Sequence, residues 1–383
     1  MEKEVISYLR IVFKRLVLIY FLLVLGYVFY YIFVGDPIRG IHDVAVSDYV
    51  AFLTGGRMIA LGLGGRLYDL GYQYGVQRAL VAPEELIGLT PFRNPPFVAL
   101  AFVPFIGLYF VVGYQLFAAV NMVLLAQCTY LLGLLFPGIK KISYWKVIPI
   151  TSLFGLSILA LGQLSPVVFL GVLGTYLFLK RKKYISAGFA AALLAVKPQF
   201  LILFPFLIFL SAQKKRFVSG SLLLGCLLAG VSFMISGAGF VPSYISFLLH
   251  TEDVVFASDP REMFSFFALL RRLGVEGLEG YLINFIGYFL VLGEFWHKVS
   301  KSKLSFDIGF IVAVLFTLVF AVHVYAQDLV WLLVPMFYLL SRATTSWKTW
   351  GVVAVLYFLP ALDMVGMSPF GSIFLLVLGI MLW

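Results

Sequence analysis

More than half of the chain lies in apolar runs of 13 to 23 residues, many of them separated by short clusters of basic residues. After a first run at 16–34 come 96–112, 114–136, 146–161, 164–180, 184–196, 199–211, 217–237, 279–296, 305–322, 329–341, 349–362 and 368–383. With 62% hydrophobic and 12% charged residues in 383, the chain carries far more apolar surface than a soluble core can hide. Lipid is the solvent that fits. There the backbone must satisfy itself within helices or a closed barrel. The runs are continuous rather than alternating, so the pattern predicts an all-α integral membrane protein. It has about 11–13 membrane helices in one polytopic domain over 1–383.

The net charge of +10 follows from Lys140–Lys141, Arg181–Lys182–Lys183, Lys214–Lys215–Arg216 and Lys298/Lys301/Lys303, with a weaker group at Arg342–Lys348. Short clusters between apolar runs mark cytoplasmic loops. A nucleic-acid partner would call for a contiguous basic face, so none is expected. Lys3, Arg10, Lys14 and Arg15 precede the first run, which reads as an uncleaved anchor with a cytoplasmic N-terminus in the plasma membrane. Residues 35–94 then form the longest polar stretch, an outer loop expected to carry one or two short interfacial helices. The alternation places Gln163, Lys197, a 238–262 loop, His323–Asp328 and Asp363 on the outer side. It closes only if 96–112, with Pro95, Pro96, Pro104 and Gly107, is a broken segment that does not cross. Cys128 and Cys226 lie inside apolar runs and read as small packing residues.

Ionisable groups at membrane depth are costly and are functional candidates by default. Asp48, Gln163, Lys197, His323 and Asp328 come from separate stretches, yet all map to outer ends of apolar runs. Lys197, before Pro198, reads as a point charge for a phosphate or as a side chain that snorkels to the interface. His323 serves as a satisfied core group, a phosphate contact or a proton-transfer group. Asp48 reads as a helix N-cap or as a general base, with Asp43 the rival carboxylate. Tyr68–Asp69 also fits an ordinary turn. There is no Walker A loop, no helical HExxH and no cysteine–histidine spacing for structural zinc, so no metal site is expected. A transporter or a non-catalytic lipid flippase is the alternative. Transporters, however, place their polar groups near the midplane of paired repeats, and here the polar set is one-sided.

Five segments, in order, carry a resemblance: SDYVAFLTGGRMIALGLGGRLYDLGYQYGVQ from Ser47, FRNPPFVALAFVPF from Phe92, LGQLSPVVFLGVLG from Leu161, SAGFAAALLAVKPQFLILFPFL from Ser186 and VHVYAQDLVWLLVP from Val322. Together these resemble the polyprenol-phosphate-sugar-dependent glycosyltransferases of family 87, in the GT-C superfamily. The resemblance implies a GT-C-type helix bundle and an inverting transfer at the outer face. The donor would be a sugar on polyprenyl monophosphate, most commonly mannose, and the acceptor a glycan or glycolipid of the cell envelope. Membrane lipids would surround the site, and no cofactor would be needed beyond the lipid-linked donor. It implies Asp48 as the catalytic base and Lys197, His323 and Gln163 as donor-phosphate contacts. Asp43, Tyr68, Asp69, Arg93, Asn94, Ser265, Tyr325 and Asp328 are further site candidates. The chain departs from the family at Asn94, where the residue before the proline pair is often tyrosine. It departs again at Met263–Phe264, where only Ser265 matches the usual Asn-Gln-Ser.

Overall fold

The computed structural model describes residues 15, 18–27, 29–30, 47–82, 86, 88–251, 259–342 and 347–383. Among these, every regular element is helical. Four helices are long and apolar enough to cross a membrane: Phe110–Leu135, Lys214–Ser236, Gly277–Ser300 and Lys348–Val365. Eight shorter apolar helices accompany them, including Leu18–Tyr27 within the expected anchor; the rest of the anchor's basic flank and Asp43 lie outside the described residues. An all-α membrane bundle is thus what the apolar runs fold into.

Several of the shorter runs are compound. Run 184–196 is an α-helix, Tyr184–Ala191, tightening into a 3₁₀ turn, Ala192–Val196. Pro198 removes a backbone donor, so the chain restarts as 3₁₀ (Pro198–Ile202) before Leu203–Leu210 resumes the α-helix. Lys197 sits alone between the two pieces. Run 96–112 is broken, as its prolines require: Pro96–Leu100 and Val103–Phe105 precede the helix that starts at Phe110. The 238–262 segment differs from expectation. It is not simply a loop, since Phe240–His250 forms a helix. Tyr244 and Phe247 on it pack against Tyr68, at ring-centroid distances of 4.9 and 5.3 Å.

The bundle has two chemically distinct ends. At one, Lys180 pairs with Asp307 at 3.0 Å, and Tyr176 donates to the same carboxylate at 2.8 Å. Arg342 stacks over Tyr338 there, and Phe136 touches both Tyr176 and Tyr338. The turn carrying Lys140 and Lys141 lies alongside, because a Cβ on Gly138 would strike the Ser341 carbonyl. Ser165 is about 22 Å away along its own helix from Lys180, and it belongs to the opposite, pocket-bearing end. The basic clusters therefore collect at the end of the molecule away from the pocket.

Helix Phe306–Phe320 is the central post, buried continuously from Gly309 to Phe320. Close helix crossing depends on glycine where Tyr184–Ala191 meets Lys214–Ser236. A Cβ on Gly188 would collide with the Phe217 carbonyl, and one on Gly220 with that of Ile185. Ser221 also donates to the Gly188 carbonyl at 2.9 Å. Small residues let membrane helices approach in this way. Gly188→Ala is therefore expected to destabilise the protein by about 1–3 kcal/mol through overpacking. Thermal unfolding in detergent checks this, and an unchanged midpoint would contradict the close crossing.

Candidate active site

The long polar segment folds, over its described residues, as two helices, Asp48–Ala60 and Leu70–Val81, joined through a 3₁₀ turn at Gly64–Arg66. Two buried glutamines on the second helix clamp the chain that follows. Gln77 exchanges both amide bonds with the Thr90 backbone at 2.9 Å, and Gln73 accepts from Phe92 N at 2.8 Å while donating to Leu67 O at 2.7 Å. A side-chain amide that mimics a strand partner fixes an otherwise irregular segment. The clamp carries straight into Arg93 and Asn94. Arg93 donates to Thr251 O at 2.6 Å, and Asn94 donates to Val196 O at 2.8 Å. Tyr68 and Tyr244 hold the Asn94 and Arg93 carbonyls at 2.9 and 2.8 Å.

These segments wall a cavity of about 570 Å³, of the size that takes a small organic ligand. Asp48, Arg93, Asn94, Gln163, Lys197, His323, Tyr325 and Asp328 all line it. Sequence stretches far apart are thus brought to one chamber. Tyr68 and Asp69 do not line it. Tyr68 holds Asn94, and Asp69 caps the Leu70–Val81 helix by accepting from Gly71 N and Tyr72 N at 3.0 and 3.2 Å. Ser265 is likewise behind the wall. It caps its helix at Ala268 N and donates to Val322 O at 2.9 Å, bracing the segment that carries His323. At the departures from the family pattern, Met263 and Phe264 are buried, and Phe264 N donates to Val324 O at 2.6 Å.

Asp48 occupies the first turn of its helix, and no side-chain cap bond forms there. Its half-buried carboxylate faces the cavity without a hydrogen bond to any described residue. Burial pushes its pKa above the ordinary carboxylate value. The positive charges of Lys197 and Arg93 oppose that shift, and the negative charge of Asp328 adds to it.

Lys197 is organised differently. Its ammonium donates to Asp328 Oδ1 at 2.6 Å, Ser165 Oγ at 2.9 Å and Gln163 Oε1 at 3.2 Å. All three donors of an ammonium are then engaged. Asp328 also accepts from Ser165 Oγ at 2.7 Å and from Tyr325 N at 3.3 Å, closing the turn of the Ala326–Leu332 3₁₀ helix. The left-handed conformation of Gly162 (φ 64°) ends helix Leu153–Leu161 and turns the chain so that Gln163 enters this network. His323 stands beside it with its ring against that of Tyr325, 6.2 Å between centroids.

The chamber thus sets a carboxylate, without a hydrogen bond among the described residues, within the field of Lys197 and Arg93, a layout suited to deprotonating one reactant while holding an anionic one. The model of glycosyltransferase family 87 matches residues 92–328, over half of the chain. The chain belongs to glycosyltransferase family 87. No curated protein and no solved structure matches it. This family 87 glycosyltransferase thus keeps Arg93, Asn94, Gln163, Lys197, His323 and Asp328 inside the matched residues, while Asp48 precedes them.

Several lining groups escaped the sequence reading. Glu262 and Tyr281 occupy other parts of the wall and Ser157 lies within an apolar helix, while Ser165 joins the Lys197 network without lining the cavity. Only Ser165 carried a signal, two residues after Gln163 and before the Pro166 that starts the next helix. Glu262, on the loop before helix Phe266–Arg272, has its pKa raised by burial and by the neighbouring charges of Asp363 and Asp259.

Proposed function

We propose that this glycosyltransferase moves a sugar, mannose by the family resemblance, from polyprenyl phosphate to an acceptor hydroxyl with inversion, at the outer face of the plasma membrane. The observation that carries the reading is the Asp48 carboxylate, without a hydrogen bond among the described residues, in the same cavity as Arg93, Lys197 and His323. In the displacement, Asp48 accepts the proton of the acceptor hydroxyl, and that oxygen bonds to the anomeric carbon. The bond from the anomeric carbon to the phosphate oxygen breaks, its electron pair leaving with the lipid phosphate. One displacement inverts the centre. A phosphate leaves without protonation, so one carboxylate suffices, unlike the paired carboxylates of glycoside hydrolysis. No cofactor is required beyond the donor itself.

Orientation follows from charge. Basic clusters are retained on the cytoplasmic side, and they sit at the end remote from the cavity, which supports an outward-facing site and a cytoplasmic N-terminus. The acceptor is a glycan or glycolipid of the cell envelope, reaching the cavity from the outer leaflet. The test uses purified protein in lipid nanodiscs with polyprenyl-phosphate-mannose and a glycolipid acceptor. The expected result is mannose attached with inverted anomeric configuration, with one polyprenyl phosphate released per sugar. Transfer from a nucleotide sugar in the absence of lipid donor, or retained configuration, would overturn the reading.

A pH profile follows from the burial of Asp48. The base works when ionised, and its pKa lies above the ordinary value of 3.8. Activity is therefore expected to fall as pH drops through a value higher than that of an exposed aspartate. Initial rates at saturating donor measure it; an acid limb at or below 3.8 would mean that another group is the base.

A further inference from the structure

Two glutamines in the cavity wall share one arrangement. Gln163 is 2% exposed and has its Oε1 held by Lys197 Nζ at 3.2 Å; Gln327 is 5% exposed and has its Oε1 held by Ser157 Oγ at 3.3 Å. With the oxygen of each amide occupied by a protein donor, the nitrogen branch points the other way. Neither Nε2 has a hydrogen-bond partner among the described residues, neither is sealed from the cavity, and both residues line it. An amide N–H that faces a cavity with no protein partner is open to a ligand oxygen. Two such groups directed into one chamber mark a place where a ligand oxygen completes them.

The geometry points to Gln327, set by Ser157 and acting beside Gln163, as a donor of hydrogen bonds to the phosphate oxygens of the lipid-linked donor. The inference rests on the polyprenyl-phosphate reading above. The Lys197 ammonium has its three donors committed and its charge balanced by Asp328. It reaches the phosphate through Gln163. A cation on an amide oxygen polarises the amide and strengthens its N–H donors. Gln327 is joined to the same assembly, being the residue next to Asp328. The two amides direct N–H donors into the cavity, which suits a phosphate oxygen, an acceptor with no proton of its own to place. Ser157 is a positioning residue: its hydroxyl decides which end of the Gln327 amide faces the cavity.

Equilibrium binding of polyprenyl monophosphate to the full chain in nanodiscs tests this. Thermal unfolding of each variant serves as the folding control, and octyl mannoside is the neutral comparison ligand. Gln327→Glu replaces donors with an acceptor and is expected to weaken phosphate binding about tenfold to a hundredfold, with octyl mannoside binding unchanged. Gln327→Met, which lacks both donor and acceptor, is expected to weaken it about tenfold. Ser157→Ala is expected to weaken it by a few-fold and Ser157→Thr to restore it, which loss of packing alone would not produce. Equal phosphate affinity in wild type and both Gln327 variants overturns the inference and leaves the donor reading standing. Loss confined to octyl mannoside overturns it too, by making the amides readers of sugar hydroxyls. A wild-type protein that does not bind the lipid phosphate sinks the donor reading itself.

Discussion

Asp48→Asn is expected to lower the turnover of sugar transfer by about 10²–10⁴-fold, the usual contribution of a positioned general base. Donor binding should change little. Asparagine has the same size and the same place in the first helical turn, so the wall of the cavity keeps its shape. It cannot take up a proton. Because the carboxylate holds no hydrogen bond to a described residue, its removal strands no partner, and the protein should unfold at an unchanged temperature. That separates a chemical role from a structural one. Asp43→Asn is the control. Should Asp43→Asn abolish transfer while Asp48→Asn leaves it intact, the base has been assigned to the wrong carboxylate. The family match begins at residue 92, so the assignment of Asp48 depends on where the fold puts it, and this substitution probes that placement directly.

The convergence of Asp48, Gln163, Lys197, His323 and Asp328 on one chamber was legible in the sequence for a simple reason. In a membrane bundle, the side on which a residue lies is set by counting crossings between basic clusters, and short loops leave little freedom in the count. Pro198 and Gly162 were legible as breaks because their backbone chemistry forces one. What escaped was the support. Gln73 and Gln77 look like ordinary polar residues of an outer helix, and only the fold shows that their amides clamp 90–92 and so aim Arg93. Helix Phe240–His250 was hidden within a polar-flanked segment between two apolar runs. Ser157 escaped because a single hydroxyl in an apolar context carries no periodic or spacing signal. The engagement of Lys197 was also invisible. The sequence shows a cation, and pairing with Asp328, 131 positions later, is a property of the packed bundle.

That pairing carries the second large effect. The Lys197 and Asp328 side chains are 9% and 1% exposed, so each charge depends on the other for its solvation. Among the described residues, Lys197→Met leaves the Asp328 carboxylate with Ser165 and the Tyr325 N–H, and an uncompensated buried charge costs about 3–5 kcal/mol. Asp328→Leu, which strands the ammonium, is expected to cost a similar amount. Replacing both together removes the two charges and their desolvation at once. Buried ion pairs exchanged for apolar residues of similar volume are often neutral in stability, so the double variant should recover most of the loss. Transfer should not return with it, because Gln163 would lose the cation that holds its amide oxygen, and the Ala326–Leu332 turn would lose its carboxylate cap. Thermal unfolding of the two single variants and the double variant, with the transfer assay on each, measures both halves. Additive destabilisation in the double variant would show that the two residues do not depend on each other. Recovered transfer there would show that the network is scaffolding with no part in holding the donor.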